Sequence, residues 1–199
     1  MDNNFYDAVL KRRSVYNLTD KMPVSDTRLL EIVQYAVKPA PSPFNMQSQR
    51  AVLLLGANHK KVWDITKETR RSIVPADKFA PTETKINSFA AGYGTVLYFT
   101  DSDTVAAMQT KFPSYKENFA IWAQQCMGML QYIVWTALAA EGIGASLQHY
   151  NPLIDESVLK EFNLPRSWRL SAQMPFGIPS AAPDVKSFLP IEDRVKVFK

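Results

Sequence analysis

The chain has 199 residues, 46% hydrophobic and 21% charged, with 23 Lys+Arg against 19 Asp+Glu, one Cys, and only 7 Gly beside 13 Pro. This length predicts one domain, 1–199, with room for a buried core, and the composition excludes intrinsic disorder, a collagen-like chain and a disulfide-stapled scaffold. Cys126 alone forms no internal disulfide, which points to a reducing compartment, and the net charge of +4 is scattered, without the basic stripe of a nucleic-acid binder.

In chain order, Asn3 or Asn4 is placed to cap a helix through Phe5, Ala8, Val9 and Leu10 to the run Lys11-Arg12-Arg13-Ser14. No apolar leader precedes it, so a cytoplasmic protein is expected. Ser25 or Asp26 caps a second helix with the apolar set Leu29, Leu30, Ile32, Val33, Ala36 and Val37. The segment 38–49, stiffened by Pro39, Pro41 and Pro43, has no helical period and reads as an irregular loop. A buried strand follows at 51–55, then a charged amphipathic helix from Asn58 to about Val74 and another over 81–91. GTVLYFT at 94–100 is a second strand, rich in β-branched and aromatic residues. Ser102 or Asp103 caps a short helix after it.

From Asn118 to Ala140 no charge occurs, long enough to span a bilayer. Gln124, Gln125, Gln131, Asn118 and Thr136 within it, and flanks without a positive cluster, favour a buried helix of a non-membrane protein. Apolar nearly all round, such a helix needs cover on every side, from a large core or from a second subunit. A third strand candidate spans 145–150, a helix 155–162 and a fourth strand 169–176. The last stretch, 186–199, reads as an extended C-terminal arm suited to pairing with a sheet or a subunit.

Several chemistries lack their residues. His59 and His149 have no second His or Cys at ligand spacing, so no metal site is expected. Residues 144–148 lack the second Gly of a nucleophile elbow, and Gly142-Ile143-Gly144 lacks the third Gly of a dinucleotide fingerprint and the strand before it. There is no P-loop, and Cys126, with no nearby cation, reads as a core thiol.

Two features go beyond packing. Lys11-Arg12-Arg13-Ser14 puts cations and a hydroxyl at a helix end, where they either complement the helix dipole or bind the oxygens of a phosphate. The loop Ala40-Pro41-Ser42-Pro43-Phe44-Asn45-Met46-Gln47-Ser48 sets the amides of Asn45 and Gln47 at alternate positions. Each amide offers donors and an acceptor, the complement of a ring edge alternating C=O and N–H, as in a flavin pyrimidine; a Pro-rich connection with incidental amides is the plainer alternative.

With these pieces in order, the chain resembles the FMN-dependent nitroreductase family, and within it a short fungal and bacterial branch that starts Arg-Arg-Ser/Thr. The resemblance rests on Arg12-Arg13-Ser14, the Ser42-x-x-Asn45-x-Gln47 loop, the Gly92-x-Gly94 strand, the segment from Glu141 to Tyr150, and the ending from Phe188 to Val195. It implies an α+β fold, an α/β/α sandwich around a mainly antiparallel sheet, in an intertwined homodimer with FMN at the interface. It further implies hydride transfer from NADH or NADPH to flavin N5, then reduction of a small aromatic acceptor, a nitroaromatic, quinone or similar electrophile. The implied FMN-binding residues are Arg12, Arg13 and Ser14 with Lys186 at the phosphate and ribityl chain, and Pro41, Ser42, Asn45 and Gln47 at the ring, partly from the other subunit. Gln148 and His149 are implied pocket residues. No nucleic-acid or membrane partner is implied.

The chain also departs from that pattern. A cation near flavin N1/O2 is usual two positions after the motif Ser, where this chain has Tyr16, and a second C-terminal cation is replaced by Phe188. Leu147-Gln148-His149-Tyr150 replaces a Pro-x-Glu-Gly segment. These departures motivate the alternative of a flavin-binding sensor or sequestering protein with little turnover.

Overall fold

The computed structural model describes residues 4–199, so Asn3, one of the two expected caps, lies outside the described residues. The first helix, α1, spans Asn4–Lys11, followed by a two-residue strand β1, Leu18–Thr19, that sequence periodicity does not reveal. Helix α2, Asp26–Val37, starts as expected at Ser25, whose hydroxyl accepts from the Arg28 amide. Strand β2, Gln49–Leu55, begins two residues before the apolar run and passes directly into α3, Gly56–Arg71. Then come α4, Ala80–Ala90, β3, Gly94–Asp101, and α5, Ser102–Lys111. The cap of α5 is Asp101, not Ser102 or Asp103: its carboxylate accepts from the Asp103 amide at 3.2 Å. The uncharged stretch lies in the 25-residue α6, Lys116–Ala140.

The strand expected at 145–150 is mostly not a strand. Only β4, Gly144–Ala145, pairs in register, and an isolated antiparallel bridge of Gln148 with Gln173 follows. Between them the Ser146 amide donates to the Pro175 carbonyl at 3.3 Å, but proline has no N–H to return, so the ladder lapses there. Helix α7, Asp155–Glu161, and the long strand β5, Trp168–Pro179, complete the core elements, and α8, Ile191–Arg194, adds one turn of helix to the arm read as extended.

The strands form one antiparallel sheet in the order β1-β5-β3-β2, with β4 beside β5. Alternation along the strands divides two cores. Val96, Tyr98, Ala172, Met174 and Phe176 face α2 and α6. Leu54, Leu97, Phe99 and Leu170 face α3, α4 and α7. Both faces are covered, which is why β3 reads as a continuous apolar run and not as an alternating one. The expected three-layer α+β sandwich is therefore the fold. At Gly177 a side chain has no room, since a Cβ would stand 2.2 Å from the Thr19 carbonyl oxygen, so this glycine lets β1 close against β5.

Cover over α6 is incomplete within the chain. Phe119, Ala123, Cys126, Met127, Leu130, Val134 and Leu138 are buried, yet Ile121 is 56% exposed and Met129 and Tyr132 about two-fifths. Beyond Ser180 the arm is almost wholly exposed, with Val185, Phe188, Leu189, Val197 and Phe198 apolar and unburied, and among the described residues it pairs with no strand. Among the described residues, no helix is long and apolar enough to cross a membrane.

His59 is buried between α3 and the sheet. The Trp63 indole donates to the Thr95 hydroxyl oxygen at 2.9 Å, that hydroxyl lies 2.9 Å from His59 Nδ1, and His59 Nε2 faces the Ala90 carbonyl at 3.2 Å. A neutral imidazole protonated at Nε2 satisfies every group in this chain of bonds. Burial pushes the His59 pKa below its ordinary value, so at acid pH the unfolded chain takes a proton that the folded chain refuses. Stability is then unaffected by His59 above about pH 6.5 and falls as pH drops below it, by at most about 1.4 kcal/mol per pH unit. Urea unfolding between pH 7.5 and pH 5.5 is expected to show this slope and His59→Gln to lack it; equal slopes in both proteins would contradict the assignment.

Candidate functional site

The end of α1 is strapped to the far end of β5. The Arg12 amide still donates to the Ala8 carbonyl at 3.0 Å, after which Ser14 bridges Ala145 in parallel, the Val15 amide donates to the Ala145 carbonyl at 2.9 Å and the Ser180 amide to that of Asn17. This places Arg12, Arg13, Ser14 and Tyr16 opposite residues 181–186 around a cavity of about 260 Å³. Three cations, Arg12, Arg13 and Lys186, line it against one carboxylate, Asp184. The Arg13 guanidinium donates to the Asp184 carbonyl, the Arg12 guanidinium lies over the Trp135 ring at 4.5 Å, and Lys186 Nζ is 5.3 Å from the Phe188 ring. Four residues singled out from sequence, 174 positions apart at the extremes, thus meet around one anion-sized cavity.

The amide-bearing loop is built differently. The Ser42 hydroxyl accepts from the Gln47 amide at 2.9 Å, the Ser42 carbonyl accepts from the Asn45 amide and the Pro43 carbonyl from the Met46 amide, closing two overlapping tight turns over residues 42–46. Phe44, Asn45 and Gln47 all adopt positive φ, 54°, 51° and 51°. A non-glycine residue there costs of order 1 kcal/mol or more, so the turn is held against strain by its hydrogen bonds and by Phe44, stacked on Phe112 at 4.5 Å. Met46 is buried beneath, and Pro41, Asn45 and Gln47 are exposed. None of Pro41, Ser42, Asn45 or Gln47 lines the Arg12 cavity, so the chain does not bring its two sets of expected ligands onto that surface.

Gln148 and His149 part company. Gln148 is buried, with its amide donating to the Gln173 carbonyl at 2.7 Å and its side-chain nitrogen to the Ser146 hydroxyl at 3.0 Å. His149 is exposed. Both line a cavity of about 440 Å³ with Arg70, Thr82, Lys85, Tyr150 and Leu153, a lining with two cations, Arg70 and Lys85, and no carboxylate. Burial raises the Tyr150 phenol above its ordinary pKa, against a smaller opposing effect of Arg70, so this hydroxyl stays protonated at neutral pH. His149 also forms part of the wall of a larger space of about 610 Å³, over Met127 and Leu170 and rimmed by Gln124, Gln131 and Asn151.

Sequence reasoning missed Arg70, Thr82 and Lys85, because on amphipathic helices they are indistinguishable from solvated surface. Cys126 is buried, and burial raises its thiol pKa, the opposite of nucleophile activation. Among the described residues, no three His, Cys, Asp or Glu side chains gather to hold a metal ion.

Loss of the Ser42 hydroxyl leaves the Gln47 amide without its acceptor in a strained turn, at a cost of about 1 kcal/mol. Ser42→Ala is expected to speed hydrogen exchange at the Gln47 amide with a small fall in Tm; unchanged exchange would contradict the role assigned to Ser42.

Residues 9–178 match the family described as the Nitroreductase family. The nitroreductase FRM2 of Saccharomyces cerevisiae is 32% identical over 188 residues, covering 94% of this chain and 93% of its own. The nitroreductase CinD of Lactococcus lactis, solved in complex with chloramphenicol, is 38% identical, superposes with a TM-score of 0.90 and covers 98% of this chain and 100% of its own. A nitroreductase of Desulfitobacterium hafniense with bound FMN, 16% identical and covering all of both chains, shares the fold at a TM-score of 0.72.

Proposed function

The chain belongs to the nitroreductase family, an oxidoreductase family, and from that premise we propose that it is an FMN-dependent NAD(P)H oxidoreductase reducing nitroaromatics, quinones or similar flat electrophiles. The observation that carries this reading is the convergence of Arg12, Arg13, Ser14 and Lys186 on one small cavity, a donor set suited to a phosphate dianion. The stretch from Ala145, beside Ser14, to His149 advances four residues and spans at most roughly 13 Å, the fully extended limit. It leads from that cavity to the one lined by Arg70, Lys85, Gln148 and His149, as a cofactor with a phosphate tail and a polar ring requires. The FMN-bound fold relative and the chloramphenicol and 4-nitrophenol complexes of CinD agree with such a site.

When bound, FMN would supply the two-electron redox chemistry between the nicotinamide and the acceptor. The protein's own residues bind and orient. Arg12, Arg13, Ser14 and Lys186 hold the phosphate. Arg70 and Lys85 line the second cavity, not the one that Tyr16 lines, and would be available there to offset negative charge on a reduced ring, while Tyr150 offers a protonated hydroxyl. Asn45 and Gln47 come from a second copy of the chain, whose Phe44 turn closes the ring side against water. That homodimer also accounts for the exposed apolar stripe of α6 and for the bare apolar arm. A cytoplasmic setting, with NADH or NADPH at hand, suits the single unpaired thiol.

The sequestering alternative drew on missing cations at Tyr16 and Phe188. Arg70 and Lys85 beside His149 weaken that motive and favour turnover. Purified protein reconstituted with FMN is expected to be yellow and to bleach within seconds on anaerobic addition of NADH or NADPH, with colour restored by 4-nitrophenol or a quinone. Bound flavin that resists both nicotinamides would favour sequestration, and failure to bind FMN would overturn the proposal.

A further inference from the structure

Trp135 of α6 presents a contradiction. Its indole N–H is buried with no acceptor among the described residues, a cost that a phenylalanine or leucine at the same place would avoid. The ring belongs to the packing around Val134 and Leu138, so the apolar bulk is useful there, but bulk alone does not call for a tryptophan. What the indole offers beyond bulk is its face, and over that face, 4.5 Å from the centroid, lies the Arg12 guanidinium. Tryptophan is the best of the aromatic platforms for a cation.

Arg12 is otherwise uncommitted. Among the described residues its guanidinium has no ion-pair or hydrogen-bond partner, whereas neighbouring Arg13 is tied to the Asp184 carbonyl. An arginine side chain free in solution loses considerable rotamer entropy when an anion fixes it. Stacked on Trp135, its plane is set before the anion arrives, while its N–H donors remain unused and its residue lines the cavity shared with Ser14 and Lys186.

We propose that Trp135 is a positioning residue: its indole face holds the Arg12 guanidinium in place for the phosphate of the bound cofactor. The inference rests on the reading of the Arg12 cavity as the FMN phosphate site. It adds that a helix remote in sequence sets the affinity of that site through one cation–π contact. Because Trp135 acts on the phosphate alone, its effect must vanish for a flavin lacking phosphate.

The test is titration of apoprotein with FMN and with riboflavin, followed by quenching of flavin fluorescence, for wild type, Trp135→Leu, Trp135→Phe and Arg12→Lys. Trp135→Leu is expected to weaken FMN roughly three- to thirty-fold, the value of a partly desolvated cation–π contact, and to leave riboflavin unchanged. Trp135→Phe, which keeps a ring and removes the orphan N–H, is expected to stay within about threefold of wild type. Arg12→Lys, which keeps the charge but loses the planar stack, is expected to lose FMN and not riboflavin. Its combination with Trp135→Leu should be no worse than the poorer single variant within about threefold. Equal losses for FMN and riboflavin in Trp135→Leu, or no loss for either, would overturn the proposal. If Trp135→Leu does not fold, Arg12→Lys and Trp135→Phe decide: a Trp135→Phe loss as large as that of Arg12→Lys would assign the effect to the indole N–H instead. Wild-type protein that binds neither flavin would overturn the cofactor reading itself, a separate outcome.

Discussion

Antiparallel pairing of β5 with β3, from Gly94 opposite Phe176 to Asp101 opposite Trp168, is the interaction on which the rest of the molecule depends. At 12 residues β5 is long enough to pair with β3 and with three short segments besides: β1, β4 and the Gln148 bridge. The two cores stand on the two faces of this pair. Everything proposed for the site hangs from the free side of β5. Ser14 reaches it through Ala145, the arm leaves from its end, and Gln148 and His149 are fixed by the reciprocal bonds of Gln148 with Gln173. Pro175 interrupts the ladder in the middle, so that Ser146 and Leu147 depart from strand geometry next to Gln148 and His149.

The scaffold is complete on the inside and unfinished on the outside. The stripe of Ile121, Met129 and Tyr132 on α6 and the apolar side chains of the arm are hydrophobic surfaces that a folded monomer leaves in water. The strained turn at Phe44–Gln47 is similarly unspent: it is rigidly made, its amides face solvent, and the cavity with the cations is elsewhere in the same chain. The proposed homodimer would answer these three observations together, with a second copy burying the stripe and the arm and exchanging the turn. In that account each cofactor site is cationic from one subunit and amide-lined from the other, and neither chain is competent alone.

How far the sequence could be read follows from the physics of each element. GTVLYFT announced β3 because burial on both faces demands apolar residues at every position, and Ser25 announced α2 because a cap needs a hydroxyl at one place. The Arg12-Arg13-Ser14 run and Lys186 were expected together only through resemblance, and the structure brings them to one cavity without help from local pattern, since Arg12 and Lys186 are 174 positions apart. Strand β1 was illegible because two residues carry no period, and β4 was overextended because the effect of Pro175 depends on which strand faces it. Arg70 and Lys85 escaped notice because a cation on a helix surface looks the same whether it meets water or a ligand. Trp135 escaped for the converse reason: inside an apolar run, an aromatic ring reads as packing, and only the position of Arg12 above it gives the face a use.

The claim that the site is shared between two chains is tested most directly by subunit complementation. Arg12→Gln removes the phosphate ligand and a doubly substituted Asn45→Ala, Gln47→Ala chain removes the amides, so each homodimer should bind FMN poorly. Co-expressed with different tags and purified as the mixed dimer, the two chains place both defects in one site and leave the other intact. The account predicts that the mixed dimer recovers about one FMN per dimer with near wild-type affinity. A mixed dimer that binds no better than either parent would show that each site is built within a single chain, and would contradict the account.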